Sequence, residues 1–262
     1  MISFFQKRAR WALTLAALFA SVNFAHASVV ITGTRVIYPA NQREVSVKLN
    51  NNGGEPALVQ SWIDDGDADA KSKDKAMPFT LLPPVARIDP GKGQTLRMMY
   101  TQDPLPQDRE SVFYLNVLEI PPRASGELKG ENVLQMAFRS RIKIFFRPTG
   151  LAGNPNETPS QVTWQMVKSE DGKGYALKGD NPTVFHASYS ETSVKFGDKS
   201  YVSDGVMIPP HGSRLFPLAD LHTLPAGTPE ITFNAIDDYG GSHGVTLKPG
   251  VPSQAQQNAA NG

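Results

Sequence analysis

The stretch VLQMAFRSRIKIFF, residues 133–146, alternates apolar and polar side chains along its length. Leu134, Met136 and Phe138 fall on one face of an extended chain, and Arg139, Arg141 and Lys143 fall on the other. At about 3.3 Å per residue such a strand would run roughly 40 Å, far beyond the usual length of about five or six residues. A central strand with an entirely buried apolar face explains the alternation but not this excess length.

The rest of the chain shows the same period-two pattern in shorter runs. Residues 43–49 place Val45, Val47 and Leu49 on one face, and Asn, Gly, Asp and Pro punctuate the intervals between runs. After the first 27 residues, no segment shows a long run of 3.6-residue periodicity. This pattern predicts an all-β fold built of sandwiches and argues against a βαβ fold.

The composition indicates two domains. Residues 149–159 are rich in Pro and Gly and poor in apolar side chains, whereas strand-like runs resume after them. We therefore expect an N-terminal domain over 28–148, a linker over 149–159 and a C-terminal domain over 160–248. The tail 249–262 has almost nothing to bury and is predicted to be disordered.

The N-terminus predicts export. Lys7, Arg8 and Arg10 precede a short apolar run over 11–22, and Ala25-His26-Ala27 supplies small residues around a cleavage point. Residues 1–27 are thus predicted to be a signal peptide, since the apolar run is too short to span a bilayer. The net charge of +1 gives no strong attraction to nucleic acid or membrane. The absence of cysteine excludes disulfides, thiol catalysis and thiolate metal sites.

Local motifs for chemistry are weak. The acidic run that begins at Asp64 lacks the Gly and Glu positions of an EF-hand, so a solvated loop is the better interpretation and no metal is expected. The histidines lack metal-ligand spacing, and no nucleophile elbow or phosphate loop occurs. A hydrolase triad assembled in space stays open as a less favoured alternative, and no cofactor is expected.

Six motifs together resemble the periplasmic pilus chaperones of chaperone–usher pathways. They occur in the order typical of that family and cover nearly the whole chain after residue 27. They are TRVIYP at 34–39, PQDRES at 106–111, YLN at 114–116, EIPP at 119–122, IKIFFRP at 142–148 and DDYGG at 237–241. The loop over 121–132 is about a dozen residues long and lacks cysteine, so it resembles the short-loop subgroup.

The resemblance implies two immunoglobulin-like sandwiches in an L or boomerang arrangement. It also implies that residues 133–146 are a donor strand that completes a pilus subunit, with Leu134, Met136 and Phe138 as the inserted side chains. Arg35 and Lys143 match the two cations that anchor the C-terminal carboxylate of the subunit. Because Lys143 lies on the opposite face from the donor side chains, either the strand twists or bulges after Ser140, or the cleft lies on the face of Lys143.

The family match extends to a charge cluster between the domains, formed by Glu110, Arg147 and Asp238. The resemblance also implies an outer-membrane usher as a second partner and a self-capping dimer when subunits are absent. It implies no enzyme activity, no nucleic-acid partner and no membrane insertion. An exported pilus subunit or adhesin is the main alternative, although such subunits typically carry a cysteine pair that this chain lacks.

Overall fold

The structure, a computed structural model, describes residues 28–67, 76–122 and 135–247. Nearly all of its regular elements are strands, as the period-two alternation predicts. They are β1 (Val29–Ile31), β2 (Arg35–Pro39), β3 (Val45–Asn51), β4 (Ala57–Asp64), β5 (Phe79–Leu82), β6 (Val85–Ile88), β7 (Gly93–Tyr100), β8 (Ser111–Ile120), β9 (Phe138–Arg147), the helix α1 (Thr158–Gln161), β10 (Thr163–Lys168), β11 (Tyr175–Asp180), β12 (Ala187–Phe196), β13 (Lys199–Asp204), β14 (Met207–Ile208), β15 (Ser213–Pro217), β16 (Glu230–Ile236) and β17 (Ser242–Leu247).

The first nine strands form one sandwich. One sheet has the order β1-β3-β7-β5 and the other the order β2-β9-β8-β4-β6. Alternate residues of each strand fill the space between the sheets: in β3, Val47 and Leu49 are buried whereas Ser46 and Lys48 are exposed. The two sheets thus share one apolar core, the usual arrangement of a sandwich.

The remaining strands form a second sandwich with its own core. Its sheets have the orders β10-β11-β15 and β13-β12-β16-β17, and β14 pairs with β12 beside them. Leu177, Phe216 and Phe233 are fully or almost fully buried in this core. The predicted all-β fold of two sandwiches is therefore confirmed. Among the described residues, no helix has the length and apolar character that crossing a membrane requires.

The predicted strand over 133–146 is confirmed over 138–146 and is wrong over 135–137. Residues 133 and 134 lie outside the described residues, and 135–137 are not in a strand. Strand β8 ends at Ile120, and its register pairs Glu119 with Phe138. Residues 135–137 therefore have almost no neighbouring strand among the described residues to supply backbone hydrogen bonds, and side-chain alternation alone could not reveal this. The predicted signal peptide and the tail 249–262 also lie outside the described residues.

Candidate functional site

Strand β9 pairs with two neighbouring strands over different lengths. It pairs antiparallel with β8 over Phe138–Phe146, but it pairs parallel with β2 only from Lys143 to Arg147. In the part of the chain that the structure describes, the edge of β9 over 138–142 consequently has no partner strand. Such an edge presents unpaired N–H and C=O groups that can template another strand. The open edge ends where β2 begins, at Arg35.

Arg35 and Lys143 face each other at that point. They are a register pair of the parallel strands β2 and β9, and neighbouring strands lie about 4.8 Å apart. Like charges placed directly opposite each other on a sheet are destabilising. Two half-buried cations at the end of an open edge therefore form a site that favours an anion.

The surroundings of Lys143 also disfavour its positive charge unless an anion binds. Burial lowers the pKa of its ammonium group, and the neighbouring cations Arg35 and Arg141 lower it further. No carboxylate forms an ion pair with Lys143 anywhere in residues 28–67, 76–122 and 135–247. The charge of Lys143 is thus uncompensated within the described chain.

Arg35 is held by the second sandwich but keeps an unused donor. Its Nη1 donates to the carbonyl oxygen of Ile236 at 3.2 Å, and its guanidinium lies 5.4 Å from the centre of the Phe145 ring. Its Nε is buried and has no hydrogen-bond partner among the described residues. Burial lowers the pKa of Arg35, against the opposing effect of Asp238, Asp237 and Glu110. An incoming anion would therefore meet a pre-positioned guanidinium.

The face of β9 that carries Lys143 is the face turned toward the second sandwich. The β8–β9 register runs without a shift from Phe138 to Phe146, so this stretch has no bulge. Ile142 and Ile144 pack on the core of the first sandwich, whereas Phe145 lies against the ring of His186 at 5.5 Å. Of the two explanations for the position of Lys143, the structure favours a cleft on that opposite face.

The predicted charge cluster is brought together at the same interface. Arg147 Nε and Nη2 donate to Glu110 Oε1 at 3.0 and 2.9 Å. Its Nη1 and Nη2 donate to Asp238 Oδ2 and Oδ1 at 2.6 and 2.9 Å, a bidentate contact that links the two sandwiches. Although burial alone would lower the pKa of Arg147, the two carboxylates raise it.

Sequence reasoning missed a fourth member of this cluster, His186. Its backbone N–H donates to Glu110 Oε2 at 3.0 Å, and its Nδ1 lies 2.8 Å from the same oxygen. The side chains of His186 and Glu110 are only 4% and 2% exposed. The two residues are 76 positions apart in the chain, so no local spacing signalled the contact.

The solvated loop predicted for the acidic run does not include Asp64, although Gly66 and Asp67 after it are exposed. The side chain of Asp64 is fully buried at the end of β4, where it accepts hydrogen bonds from Arg141, from Asn116 Nδ2 at 2.7 Å and from the Gly66 N–H at 2.9 Å. Arg139 approaches the same carboxylate at 3.6 Å and donates to Asn116 Oδ1. Burial alone would raise the pKa of Asp64, but these hydrogen bonds lower it. Asp64 thus holds β9 to β4 across β8.

No group of three candidate metal ligands occurs in the described ranges.

A cavity of about 310 Å³ lies between the sandwiches next to Arg35. Its walls come from the end of β9, from the segment around α1 and from β16, β17 and the turn between them. Its lining includes Arg35, Phe145, Ser160, Ile236, Tyr239 and Val245.

The fold and this site define a class of protein. An open strand edge that ends at two half-buried cations suits a protein that binds an extended segment by strand addition. The backbone ladder would supply affinity, and the cations would select a terminal carboxylate.

The comparisons with known proteins identify the family. The model "Pili and flagellar-assembly chaperone, PapD N-terminal domain" matches residues 28–152, and "Pili assembly chaperone PapD, C-terminal domain" matches residues 157–246. The chain therefore belongs to the PapD family of pilus assembly chaperones. It is a fimbrial chaperone with two immunoglobulin-like domains, and the match favours this reading over a pilus subunit, an adhesin or a hydrolase.

The relatives agree with this assignment. The chain is 43% identical over 241 residues to the probable fimbrial chaperone YadV of Escherichia coli K12, with 91% of this chain and 97% of that protein covered. It is 44% identical over 250 residues to the chaperone FimB/FhaD of Bordetella pertussis, with 89% and 96% covered. The crystal structure of YadV matches with a TM-score of 0.72 at 41% identity, over 85% of this chain and 100% of that one.

Proposed function

We propose that this chaperone holds a pilus subunit by strand addition along the open edge of β9 and anchors the C-terminal carboxylate of the subunit on Arg35 and Lys143. The observation that carries the proposal is that the open edge ends at the register pair of half-buried cations, Arg35 and Lys143. One relative in structure, the SafB chaperone of Salmonella enterica, is solved in complex with the SafA pilin; it has a TM-score of 0.68 at 26% identity and covers 86% of this chain and 98% of that one.

The position of β2 explains why the bound segment should end at these cations. An added strand can pair with β9 over 138–142, but β2 occupies the same edge from Lys143 onward. The added strand must stop there or leave the sheet. A segment whose last residue is its C-terminus would then place a free carboxylate beside Arg35 and Lys143, where charge-assisted hydrogen bonds are strong.

The residues before β9 are the proposed donor side chains. Met136 is 52% exposed and Phe138 is partly buried, while Leu134 lies outside the described residues. An exposed apolar side chain next to an open strand edge favours burial against a partner. Each fully buried side chain of this type contributes roughly 1.5–3 kcal/mol. We therefore propose that Leu134, Met136 and Phe138 fill an apolar groove of the subunit.

The charge cluster of Glu110, Arg147 and Asp238 is proposed to set the angle between the domains. Arg147 makes a bidentate contact with Asp238. Arg147 also donates to Glu110, which in turn accepts a hydrogen bond from the backbone N–H of His186. The proposed domain limits, 28–148 and 160–248 around a linker at 149–159, are supported by two separate cores that end at Phe146 and begin at Val162.

The family match supports a proposal for the cellular setting. We propose that residues 1–27 direct export to the periplasm and that an outer-membrane usher receives the loaded complex. We also propose that the chain is a non-enzymatic chaperone of the short-loop subgroup, needs no cofactor, and caps itself as a dimer when no subunit is bound. The naming of its relatives as chaperones supports the chaperone role. Residues 123–132 of the subgroup loop over 121–132 lie outside the described residues.

Co-expression with the subunits encoded beside its gene, followed by pull-down, tests the anchor. We expect the wild-type protein to retain subunits and Lys143→Ala and Arg35→Ala to lose them while staying folded by circular dichroism. Lys48→Ala on the exposed side of β3 is the matched control and should retain subunits. Equal retention by both anchor variants and the wild type would show that the site is elsewhere.

A further inference from the structure

We propose that the cavity between the two domains is a subsite for the side chain of the last residue of the bound subunit, with a preference for an aromatic side chain. This inference rests on the proposed function, because it presumes that the subunit carboxylate lies at Arg35 and Lys143. It adds a source of specificity that a carboxylate anchor lacks, since every polypeptide ends in a carboxylate.

The cavity lies within reach of the anchor. Arg35 lines the cavity and also belongs to the cation pair. Phe145, which forms part of the cavity wall, is two positions after Lys143 on the same face of β9. Two residues of a strand cover about 6.6 Å, a distance that one aromatic side chain can bridge. A terminal residue could therefore place its carboxylate on the cations and its side chain in the cavity.

The walls of the cavity suit an aromatic ring. Ile236 and Val245, two half-buried residues of the second domain, supply apolar surface, and Phe145, which is almost fully buried, closes the wall from the first domain. Tyr239 lines the cavity from the β16–β17 turn but is 90% exposed, which is unusual for a tyrosine. Arg35 lies over the Phe145 ring, a contact that shows the affinity of guanidinium groups for aromatic faces. A volume of about 310 Å³ is at the lower end of ligand cavities and has room for one side chain.

Apart from Arg35, the charged residues that line the cavity are paired with one another. Arg147, its other cation, is already bound by Glu110 and Asp238. Asp237 is paired with His243 at 2.7 Å on the rim. Arg35 lines the cavity without forming a salt bridge to a described residue, although three carboxylates act on it from farther away. Its register partner Lys143 adds a second positive charge beside it. These two charges orient a terminal residue with its carboxylate toward Arg35 and its side chain inward.

Synthetic peptides test this subsite with the purified protein. We would measure, by fluorescence anisotropy, the binding of labelled heptapeptides of alternating Thr and Val that end in a Phe acid, a Gly acid or a Phe amide. Burial of the Phe ring should make the Phe acid bind about tenfold more tightly than the Gly acid. The Phe amide should bind more weakly than the Phe acid.

Two variants localise the effect. Ser160→Trp should fill the cavity and abolish the difference between the Phe and Gly acids. Tyr239→Ala removes an exposed ring without disturbing a core, and it should reduce the same difference about threefold. Val202→Ala, an exposed apolar residue on β13, is the control and should leave the difference unchanged.

The outcomes separate the subsite from the anchor. Equal binding of the Phe and Gly acids, with the amide weaker, would overturn the subsite and leave the anchor intact. Equal binding of the Phe acid and Phe amide would overturn the anchor. A difference between Phe and Gly that persists in both cavity variants, or no binding of the Phe acid up to about 1 mM, would overturn the subsite as located here.

Discussion

Two cations on the same face of β9, Lys143 and Arg147, are four residues apart and have opposite surroundings. Arg147 is bound by Glu110 and Asp238, and these carboxylates raise its pKa. Lys143 faces Arg35 and has no ion pair within the described chain, and its pKa is lowered. One face of a single strand thus carries a compensated and an uncompensated charge.

The difference separates a structural role from a binding role. A charge whose partners are built into the fold stabilises the orientation of the parts that carry them. A half-buried charge without a partner costs folding free energy, and such a cost is typical of a site that is completed by a ligand. We therefore expect changes at the two positions to affect different measurements.

The largest effect is expected at the compensated cluster. Glu110→Gln removes the negative charge of a buried carboxylate that accepts hydrogen bonds from Arg147 and from the backbone N–H of His186. The free energy of unfolding should fall by about 3 kcal/mol, because a buried cation loses a partner. Urea denaturation measures this change. Glu44→Gln, which breaks the exposed pair with Arg97, is the control and should leave the midpoint unchanged; a similar fall in both variants would refute the distinction.

The uncompensated site should show the reverse behaviour. Lys143→Met keeps the aliphatic part of the side chain and removes the charge that faces Arg35. Subunit binding should weaken about 30-fold, or about 2 kcal/mol, whereas the urea midpoint should stay the same or rise. Surface plasmon resonance and urea denaturation would measure the two quantities. A clear loss of stability with intact binding would mean that Lys143 is a structural residue.

The pH dependence should sharpen the same contrast. Because the pKa of Lys143 lies below its ordinary value of 10.5, the ammonium group loses its proton at a lower pH than an exposed lysine does. Binding of a carboxylate should therefore weaken before pH 10.5 is reached. Over the same range the free energy of unfolding of the free protein should rise, because the loss of this proton removes an unfavourable charge from the folded state. Titration of peptide binding from pH 7 to 10.5 tests this. Lys143→Arg, which keeps its charge, should give a flatter profile, and identical profiles would exclude titration of Lys143.

Part of this contrast was predictable from sequence. Arg35, Lys143, Glu110, Arg147 and Asp238 were all identified by family motifs, and the structure places them at one interface. Alternation in β3 predicted its buried face correctly, since each side chain reports its own side of the strand.

The remainder depended on contacts between distant segments. The start of β9 at Phe138 is set by the end of β8, and the burial of Asp64 is set by Arg139 and Arg141 arriving from β9. His186 joins Glu110 through tertiary packing alone. A single sequence contains no local pattern for such partners.

The smallest effect is expected at the link between the domains. Asp238→Asn weakens the bidentate contact with Arg147, at a partly exposed position that contributes about 1 kcal/mol. Small-angle X-ray scattering should show a broader distribution of overall dimensions, because the angle between the domains is less restrained. Asp204→Asn, an exposed residue at the end of β13, should leave the scattering unchanged. Identical scattering from the wild type and both variants would remove Asp238 from the orientation of the domains.

The most direct test of the central claim uses the subunit and leaves the chaperone unchanged. A subunit with its natural C-terminus and the same subunit extended by four residues would be co-expressed with the wild-type chaperone, and retention would be measured by pull-down. If β2 blocks the edge of β9 and the cations bind a terminal carboxylate, the extension should reduce retention at least about tenfold. Undiminished retention of the extended subunit would contradict the account, because the bound strand would then need neither to stop at β2 nor to place its carboxylate on Arg35 and Lys143.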